Sequence, residues 1–379
     1  MNEMTKIITA TTKHDPVSGA INAPLHLSST FNQKSFDEFG EFDYARSGNP
    51  TRQLAEEAVA DLENAKYGFL FSTGMAAISS VLMTFSQGDH IVVTQHVYGG
   101  TWRVFEDVLS RFGIEHTFVK CSNLEAVEAA IQPNTKAIYI ETPSNPILAV
   151  TDIAEIVKIA NKYNLVSIAD NTFLSPVIQK PLDLGIDIVV HSATKFLAGH
   201  SDILAGVAVT NNKALADQIY YVQNAVGATL ATFDSWLLLR GIKTLGVRMK
   251  QSSESALKIA QWLEQQAEVI KVYYPGLPND AGYEIQRKQA SSGGAVLSFD
   301  VGSMEHARIV AENTQIPAFS VSLGGVETIL SYPPKMSHAE LDQEGLNAAE
   351  ISAGLLRFSV GLEDPDDLIN DLKQAFLKF

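Results

Sequence analysis

Features of secreted and membrane-spanning proteins are missing from this sequence. The only cysteine among the 379 residues is Cys121, so no disulfide can form within the chain. No apolar run reaches the roughly 18 residues that a membrane-spanning helix needs. The opening MNEMTKIITATT also lacks the basic start and apolar stretch of a secretory leader. We therefore expect a cytoplasmic protein with no membrane partner.

Positive charge is scarce as well. Lys and Arg total 28 against 43 Asp and Glu, which gives a net charge of −15. An acidic surface repels nucleic acids and anionic lipids, so neither is an expected partner. The remaining composition, 46% apolar and 19% charged, is typical of a folded globular chain of two or three domains.

Common nucleotide and metal motifs are absent too. No GxGxxG follows a predicted strand, and no GxxxxGK[ST] occurs. HExxH and CxxC patterns are missing, and His191 and His200 lack the spacing of metal ligands on a helix. We predict no metal site and interpret both histidines as structural.

Helical and strand periodicities alternate from residue 51 onward. Predicted strands fall at 68–72, 90–94, 115–120, 136–141, 165–170, 187–192 and 206–210. Predicted helices fall at 51–64, 74–85, 99–113, 123–131 and 152–164. This alternation predicts an α/β fold with a large, mostly parallel sheet and helices on both faces. The strand at 206–210 is expected to form a hairpin with its predecessor.

The remaining segments differ in pattern. A long helical stretch occupies 233–266, where Gly241 and Gly246 are expected to bend or divide the helix. Beyond it, predicted strands at 269–274, 295–301, 327–332 and 355–360 and helices at 305–314 and 364–379 indicate a smaller C-terminal α+β domain. The first fifty residues have little helical period and are expected to wrap around a neighbouring surface. We predict domains at 51–235 and 236–379 after an extended segment, 1–50.

Chemically useful groups follow the predicted strands, where ligands bind in sheets of this type. A helix begins at Gly74 and Met75, and its free N–H groups favour a phosphate. The other groups are Tyr98, the stretch TPSNP at 142–146, Asp170, Ser192, Thr194 and Lys195. Pyridoxal 5′-phosphate (PLP) needs this set: a lysine, a carboxylate for its ring nitrogen, a phosphate site and an aromatic face.

Each residue has a plainer interpretation when it is taken alone. A strand-end aspartate usually caps a turn, a lone tyrosine usually packs, and a lone lysine is usually a surface charge. Their meeting at one edge of one sheet favours the cofactor site. A straight strand would point Ser192 and Thr194 away from Lys195, so the site also requires a turn there.

The stretch DIVVHSATKFLAGHS resembles the attachment-site signature of the PLP-dependent enzymes of cysteine and methionine metabolism. This family includes cystathionine β-lyase, cystathionine γ-lyase, cystathionine γ-synthase and methionine γ-lyase. The resemblance extends in order along nearly the whole chain, through YARSGNPTR, STGMAAI, YGGT, ETPSNP, ADNTF, VSLGGVET and LLRFSVGLED. It implies the PLP-dependent transferase fold type I, PLP as cofactor, an amino-acid substrate and a homotetramer built as a dimer of dimers.

The resemblance also implies roles for residues that match the family pattern. Lys195 resembles the Schiff-base lysine and proton shuttle, Asp170 the partner of the pyridine nitrogen with Thr172 nearby, and Tyr98 the ring-stacking tyrosine that also acts in proton transfer. The implied phosphate site is formed by Gly74, Met75, Ser192 and Thr194, completed by Tyr44 and Arg46 of the neighbouring subunit. Asn145 matches a residue near the cofactor hydroxyl and substrate, and Arg357 and Ser322 match the clamp on the substrate α-carboxylate.

Substrate preference is less sharply indicated. Val321 stands where several γ-lyases and γ-synthases have a glutamate, and Gly99–Thr101 lacks the cysteine typical of methionine γ-lyases. The stretches FDEFGEFDYARSGNPT, RFGIEHTF and VSLGGVETILSYPPKMSHA are most similar to cystathionine β-lyases of Gram-positive bacteria. We therefore expect a carbon–sulfur lyase that cleaves cystathionine by α,β-elimination. The alternatives are a γ-lyase, a γ-synthase-type γ-replacement and, outside catalysis, a ligand-binding protein of this fold.

Overall fold

The computed structural model describes residues 1–12, 15–339 and 341–379 and contains two sheets. The larger has seven strands in the order β1-β7-β6-β5-β4-β2-β3. Its strands are β1 (Tyr67–Phe71), β2 (His90–Thr94), β3 (Glu115–Val119), β4 (Thr135–Glu141), β5 (Val166–Asp170), β6 (Ile188–Ser192) and β7 (Gly206–Thr210). Only β7 runs antiparallel to its neighbours, which confirms the mostly parallel sheet and the pairing of the last two strands.

Helices cover both faces of this sheet. Those of the first 230 residues are α1 (Glu3–Ala10), α2 (Pro50–Leu62), α3 (Gly74–Leu82), α4 (Gly99–Arg103), α5 (Leu124–Ala129), α6 (Ile153–Tyr163), α7 (Ser175–Ile178) and α8 (Lys213–Val226). Strand residues alternate between two cores: Ile138 and Ile140 face the core that includes α2 and α6, while Tyr139 faces the core that includes α3 and α8. Burial on both faces explains why these strands read as nearly continuous apolar runs.

A second, five-stranded sheet has the order β10-β11-β12-β9-β8. Its strands are β8 (Lys271–Tyr273), β9 (Val296–Asp300), β10 (Ala318–Phe319), β11 (Ile329–Ser331) and β12 (Leu355–Ser359). The accompanying helices are α9 (Thr232–Ile242), α10 (Leu245–Leu263), α11 (Tyr283–Gln289), α12 (Met304–Asn313), α13 (Gln343–Ala348) and α14 (Pro365–Phe376). Leu356 and Phe358 pack against α10 and α14 in an apolar core. Alternation along β12 therefore turns Arg357 to the opposite face.

Several predicted elements need correction. The N-terminal segment contains a helix, α1, which Asn2 caps and which buries Ile7 and Ala10. Helix α8, whose amphipathic pattern follows a cap at Asn212, was not predicted from the sequence. The predicted helix 99–113 is regular only through Arg103 and continues as a π-helix and a 3₁₀-helix. The predicted strands at 269–274 and 327–332 are shorter, at Lys271–Tyr273 and Ile329–Ser331.

The long helical stretch is divided as Gly241 and Gly246 predicted, because α9 ends at Ile242 and α10 begins at Leu245. The predicted domain boundary at 235/236 falls inside α9 and remains a prediction, as does the boundary at 50/51. Across the described residues, no helix has the length and apolarity that a bilayer crossing requires.

Gly206 lets α3 approach the sheet closely. A Cβ at this position would lie 2.1 Å from the Thr73 carbonyl oxygen and 2.9 Å from the Ala77 Cβ. Since Thr73 is the N-cap of α3, the glycine allows the first turn of α3 to lie against β7.

We expect Gly206→Ala to destabilise the fold by about 1–3 kcal/mol, because backbone atoms must move to admit the methyl group. Chemical denaturation of both proteins would measure the difference. Gly40→Ala is the control, since its nearest neighbour would be 3.7 Å away. Equal stability of Gly206→Ala and the wild type would contradict the close approach.

Candidate active site

The carboxyl ends of β4, β5 and β6 bring ionisable side chains together. Glu141 and Asp170 are register partners at the ends of β4 and β5, and both are buried. The chain turns immediately after β6, where the Lys195 N–H donates to the Ser192 carbonyl at 3.2 Å and the Gly199 N–H to the Lys195 carbonyl at 2.8 Å. This is the turn that a shared site for Ser192, Thr194 and Lys195 requires.

Lys195 has the electrostatic setting of a proton acceptor. Burial lowers the pKa of its amine to about 8, and the nearby Arg357 charge adds to this effect while Asp170 opposes it. An amine with this pKa is partly neutral near physiological pH, as a general base requires.

Asp170 is held by polar groups on one side only. Its Oδ1 accepts from the Thr172 N–H at 2.9 Å and the Thr172 hydroxyl at 2.5 Å. Within the described part of the chain, the other oxygen, Oδ2, has a single hydrogen-bond contact, a long one of 3.4 Å from the Tyr139 hydroxyl. Burial raises the pKa of Asp170, opposed by the Thr172 hydrogen bonds. A donor at Oδ2, such as a protonated ring nitrogen, would satisfy the buried carboxylate.

The start of α3 meets the end of β6 beside these groups. A Cβ on Gly74 would lie 2.7 Å from the Ser192 Cβ, so only glycine permits this approach. Gly74 and Met75 occupy the first turn of α3, where N–H groups lack partners within the helix. The Thr172 hydroxyl accepts the Ser192 N–H at 2.8 Å, which ties this end of β6 to Asp170. The arrangement suits a phosphate group.

Glu141 was missed by the sequence analysis, although it ends the predicted strand 136–141. Its Oε2 accepts the Tyr98 N–H at 2.9 Å and its Oε1 the Asn145 N–H at 3.0 Å. Burial, and then the neighbouring Asp170 charge, raises the pKa of Glu141 to about 8. The carboxyl group thus fixes the backbone of two predicted site residues.

Arg357 reaches the same region from β12. Its Nη1 donates to the Asn145 side-chain oxygen at 2.9 Å, and its Nη2 to the Ser322 carbonyl at 2.6 Å and the Ser331 hydroxyl at 3.1 Å. Its Nε is buried without a hydrogen-bond partner. Among the described residues, no carboxylate forms an ion pair with this buried guanidinium. Ser322 participates through its backbone, and the neighbouring Val321 is 60% exposed.

Tyr44 and Arg46 are not brought to this site within the chain. The Arg46 guanidinium lies 5.5 Å from the Tyr44 ring centroid, and its Nε donates to Asn224 of α8 at 3.2 Å. In the described part of the chain, no hydrogen bond joins either residue to the start of α3 or to the end of β6.

A buried polar network lies near the end of β6 and was also missed. The His191 Nε2 lies 2.6 Å from the Glu63 Oε1, and Asn171 donates to the same oxygen at 3.0 Å. His191 is thus in contact with a carboxylate from α2's C-cap, while His200 contacts the Ala198 carbonyl at 2.7 Å. No cluster of metal-ligating side chains occurs in the described ranges.

PLP fits this edge of the sheet. The incompletely partnered Oδ2 of Asp170 matches the ring nitrogen, and the first turn of α3 matches the phosphate. Lys195 would supply the amine, and the ring of Tyr98, 42% exposed, would be available to stack. The fold and the site together define the class of the protein as a PLP-dependent enzyme with the type I fold.

Comparison with known proteins narrows this class. The chain belongs to the Cys/Met metabolism PLP-dependent enzyme family, whose model matches residues 4–377. It is 51% identical over 363 residues to cystathionine beta-lyase MetC of Bacillus subtilis, which covers 96% of this chain and 93% of the relative. Cystathionine gamma-lyase of the same organism is 46% identical, with 99% of both chains covered. The crystal structure of cystathionine gamma-lyase from Lactobacillus plantarum in complex with L-serine superposes with a TM-score of 0.97 at 44% identity, covering 100% of this chain and 99% of that one.

In the cofactor-free protein, Lys195→Met should raise stability below about pH 8 by up to about 3 kcal/mol. The wild type holds Lys195 at a pKa of about 8 when folded, against its ordinary value of 10.5. The unfolded wild type therefore binds more protons between these values, so its stability rises with pH and the advantage of the variant shrinks across this window.

Denaturant titrations at a series of pH values would measure this difference. Lys136→Met, at an exposed position in β4, is the control for loss of a lysine. A constant difference between Lys195→Met and the wild type from about pH 7 to 11 would show that the Lys195 amine is not desolvated.

Proposed function

We propose that this protein is a cytoplasmic cystathionine β-lyase. It would convert cystathionine and water to homocysteine, pyruvate and ammonia. One observation carries the proposal. The buried guanidinium of Arg357, which forms no ion pair with a carboxylate of the described residues, lies close enough to lower the pKa of the buried Lys195. An amino-acid substrate needs both an anchor for its α-carboxylate and a base near its Cα.

The proposed cofactor site uses the residues at the strand ends. Lys195 would carry PLP, Asp170 with Thr172 would hold its ring nitrogen, and Tyr98 and Asn145 would contact its ring and hydroxyl. The phosphate would bind at the first turn of α3 and the end of β6, through Gly74, Met75, Ser192 and Thr194. When bound, PLP withdraws electrons from the substrate Cα and makes its proton acidic.

The chain's own residues then handle protons and orientation. The amine of Lys195, free once the substrate has displaced it, would remove the Cα proton. The electron pair of the Cα–H bond would then form a Cα–Cβ double bond as the Cβ–S bond breaks with its own pair on sulfur. Tyr98 is the proposed partner in proton transfer, with its backbone fixed by Glu141. Proton transfer by positioned groups of this kind accelerates reactions by about 10²–10⁴-fold.

The proposed substrate clamp lies on β12 and the loop before β11. Arg357 would take the α-carboxylate in a forked interaction, with Asn145 and Ser322 already holding two of its nitrogens. Val321 is exposed beside this clamp and offers no charge to the distal end of the substrate. An uncharged group at this place supports the β-lyase over enzymes that bind the distal amino group with a carboxylate.

A γ-lyase is the second candidate, yielding cysteine, 2-oxobutyrate and ammonia. It is supported by the 46% identity to the B. subtilis cystathionine gamma-lyase. A γ-replacement enzyme is the third, supported by 42% identity to a cystathionine gamma-synthase/O-acetylhomoserine (thiol)-lyase of that organism, over 98% of this chain and 95% of the relative.

The proposed assembly is a homotetramer in which pairs of subunits share active sites. Residues 1–50 would form an extended segment that contacts the neighbouring subunit. Residues 51–235 and 236–379 would form the two domains of each subunit. Large apolar side chains of the N-terminal segment are exposed, among them Val17, Leu27, Phe36 and Phe39, at 69–93%. A dimer interface would cover such a surface. Tyr44 and Arg46 would then complete the phosphate site of the partner.

Product analysis tests the reaction. The holoenzyme given cystathionine should release mainly pyruvate with equimolar homocysteine, as measured by chromatography of the 2-oxo acids. Lys195→Ala should lose both the products and the visible absorbance of bound PLP. Mainly 2-oxobutyrate would replace the β-lyase proposal with the γ-lyase, and no oxo acid from PLP-loaded protein would favour γ-replacement.

Mixed oligomers test the shared site. If the Arg46 side chain serves the partner's site, Arg46→Ala and Lys195→Ala subunits unfolded and reassembled together should recover about one quarter of the wild-type sites. Half of the random dimers are mixed, and each mixed dimer has one intact site. Each variant reassembled alone is the control. No recovery in mixtures that contain mixed dimers would place Arg46 in its own subunit's site.

A further inference from the structure

The corner between α9 and α10 contains a buried cation that the proposed mechanism does not use. Arg248 on α10 is 4% exposed, and no carboxylate of the described residues forms an ion pair with it. Burial lowers the pKa of its guanidinium to about 10. Because burying an unpaired cation is costly, its contacts need an explanation beyond filling space.

The guanidinium of Arg248 binds the backbone that directly follows Lys195. Its Nη1 donates to the Phe196 carbonyl at 2.7 Å, and its Nη2 has a longer contact of 3.4 Å with the Leu197 carbonyl. Nη2 also donates to the Gly241 carbonyl at 2.9 Å, at the end of α9. One side chain therefore connects the helix corner to the loop that carries the lysine.

Two glycines make this contact possible. Gly199 has φ +73°, and a Cβ there would lie 2.1 Å from the Arg248 Nη1. A Cβ on Gly241 would lie 2.3 Å from the Ala198 carbonyl oxygen. A larger residue at Gly199 would displace the Arg248 guanidinium, and one at Gly241 would move the loop or the corner. The glycine that predicted a divided helix thus also allows the corner to touch the lysine loop.

The loop is confined from another direction as well. Gly324, with φ +80°, would place a Cβ 2.7 Å from the Phe196 nitrogen and 3.0 Å from the Lys195 carbonyl carbon. The Gly324 N–H is fixed by the Ser359 hydroxyl at 2.9 Å. Backbone from Lys195 to Leu197 is therefore confined by the Gly324 loop and anchored by Arg248.

We propose that Arg248 is a positioning residue for Lys195, holding the carbonyls of the next two residues so that the lysine amine stays at the cofactor. The proposal rests on the proposed role of Lys195. Arg248 contacts neither cofactor nor substrate in this proposal, so its effect passes through the backbone of the lysine loop.

Backbone hydrogen exchange of the holoenzyme tests the proposal at the loop itself. The Ala198 N–H is bonded to the Ala193 carbonyl at 3.0 Å and the Gly199 N–H to the Lys195 carbonyl at 2.8 Å. We expect Arg248→Met to increase exchange at these two amides by about tenfold or more, because charge-assisted hydrogen bonds no longer oppose local opening. Arg248→Lys, which keeps the charge and reaches fewer carbonyls, should show a smaller increase.

A spectroscopic readout separates positioning from general destabilisation. In Arg248→Met, the pH midpoint of the visible absorbance of bound PLP should shift by at least about half a unit, because a mobile loop changes the exposure of the Lys195 nitrogen to water and to the neighbouring charges. Asp371→Asn is the control. The buried carboxylate of Asp371, in α14, accepts hydrogen bonds from the Gln315 and Ile316 N–H groups. It should lower stability without changing the midpoint or the loop exchange.

The proposal is overturned if Arg248→Met and Asp371→Asn lose similar stability and leave loop exchange and the absorbance midpoint unchanged. If Arg248→Met does not fold, Arg248→Lys and Thr244→Val decide by the same two readouts; Thr244 accepts from the Arg248 Nε at 3.1 Å. A wild type that shows no PLP absorbance dependent on Lys195 would instead refute the proposed function, while loop exchange would still report on Arg248.

Discussion

The burial of ionisable groups at one edge of the seven-stranded sheet is the constraint on which this structure depends. Glu141 and Asp170 are adjacent carboxyl groups inside the protein, and Arg357 is a buried cation nearby. Each costs free energy unless polar groups surround it. Backbone N–H groups and hydroxyls donate hydrogen bonds to the two carboxyl groups. The Asp170 oxygen with only a long hydrogen bond is where a cofactor nitrogen fits. Buried polar atoms with unused hydrogen-bonding capacity are therefore what we expect at a site that binds a polar ligand.

Close backbone approach provides the second part of the design. At each of five glycines a Cβ would meet another segment at a nearest distance of 2.1–2.7 Å: Gly74, Gly199, Gly206, Gly241 and Gly324. These glycines allow the start of α3 to contact β6 and β7, and they allow the lysine loop to contact Arg248, the end of α9 and the Gly324 loop.

The sequence predicted much of the fold and of the site because apolar periodicity and strand-end position are both local features of the chain. Apolar runs bounded by caps and glycines located the strands of the large sheet, and strand-end positions pointed to Lys195 and Asp170. Prediction failed where the deciding contact is distant in the chain. Arg248 meets Phe196 across 52 positions and His191 meets Glu63 across 128. Glu141 was overlooked because its contact with the Tyr98 N–H spans 43 positions of the chain.

Missed helices have a different cause. The amphipathic run of α8 was left unassigned between two stronger patterns, and α1 is short and gains its order from packing of Ile7 and Ala10. Neither error displaced the site, because the strand ends that carry it are set by the sheet.

The reversed direction of β7 has a consequence for how the lysine loop forms. If β7 were parallel to β6, the chain would first have to return to the amino end of β6. Instead β7 begins beside the carboxyl end of β6, with Ser192 opposite Gly206. Residues 193–205 therefore form a loop between two strands that are consecutive in the chain and pair with each other. The entropy cost of closing such a loop is small compared with that of pairing strands far apart in the chain. Contacts of short sequence separation also form quickly. The two strands that flank the lysine loop thus pair with each other directly, whereas the contacts of the loop with Arg248 and Gly324 come from distant parts of the chain.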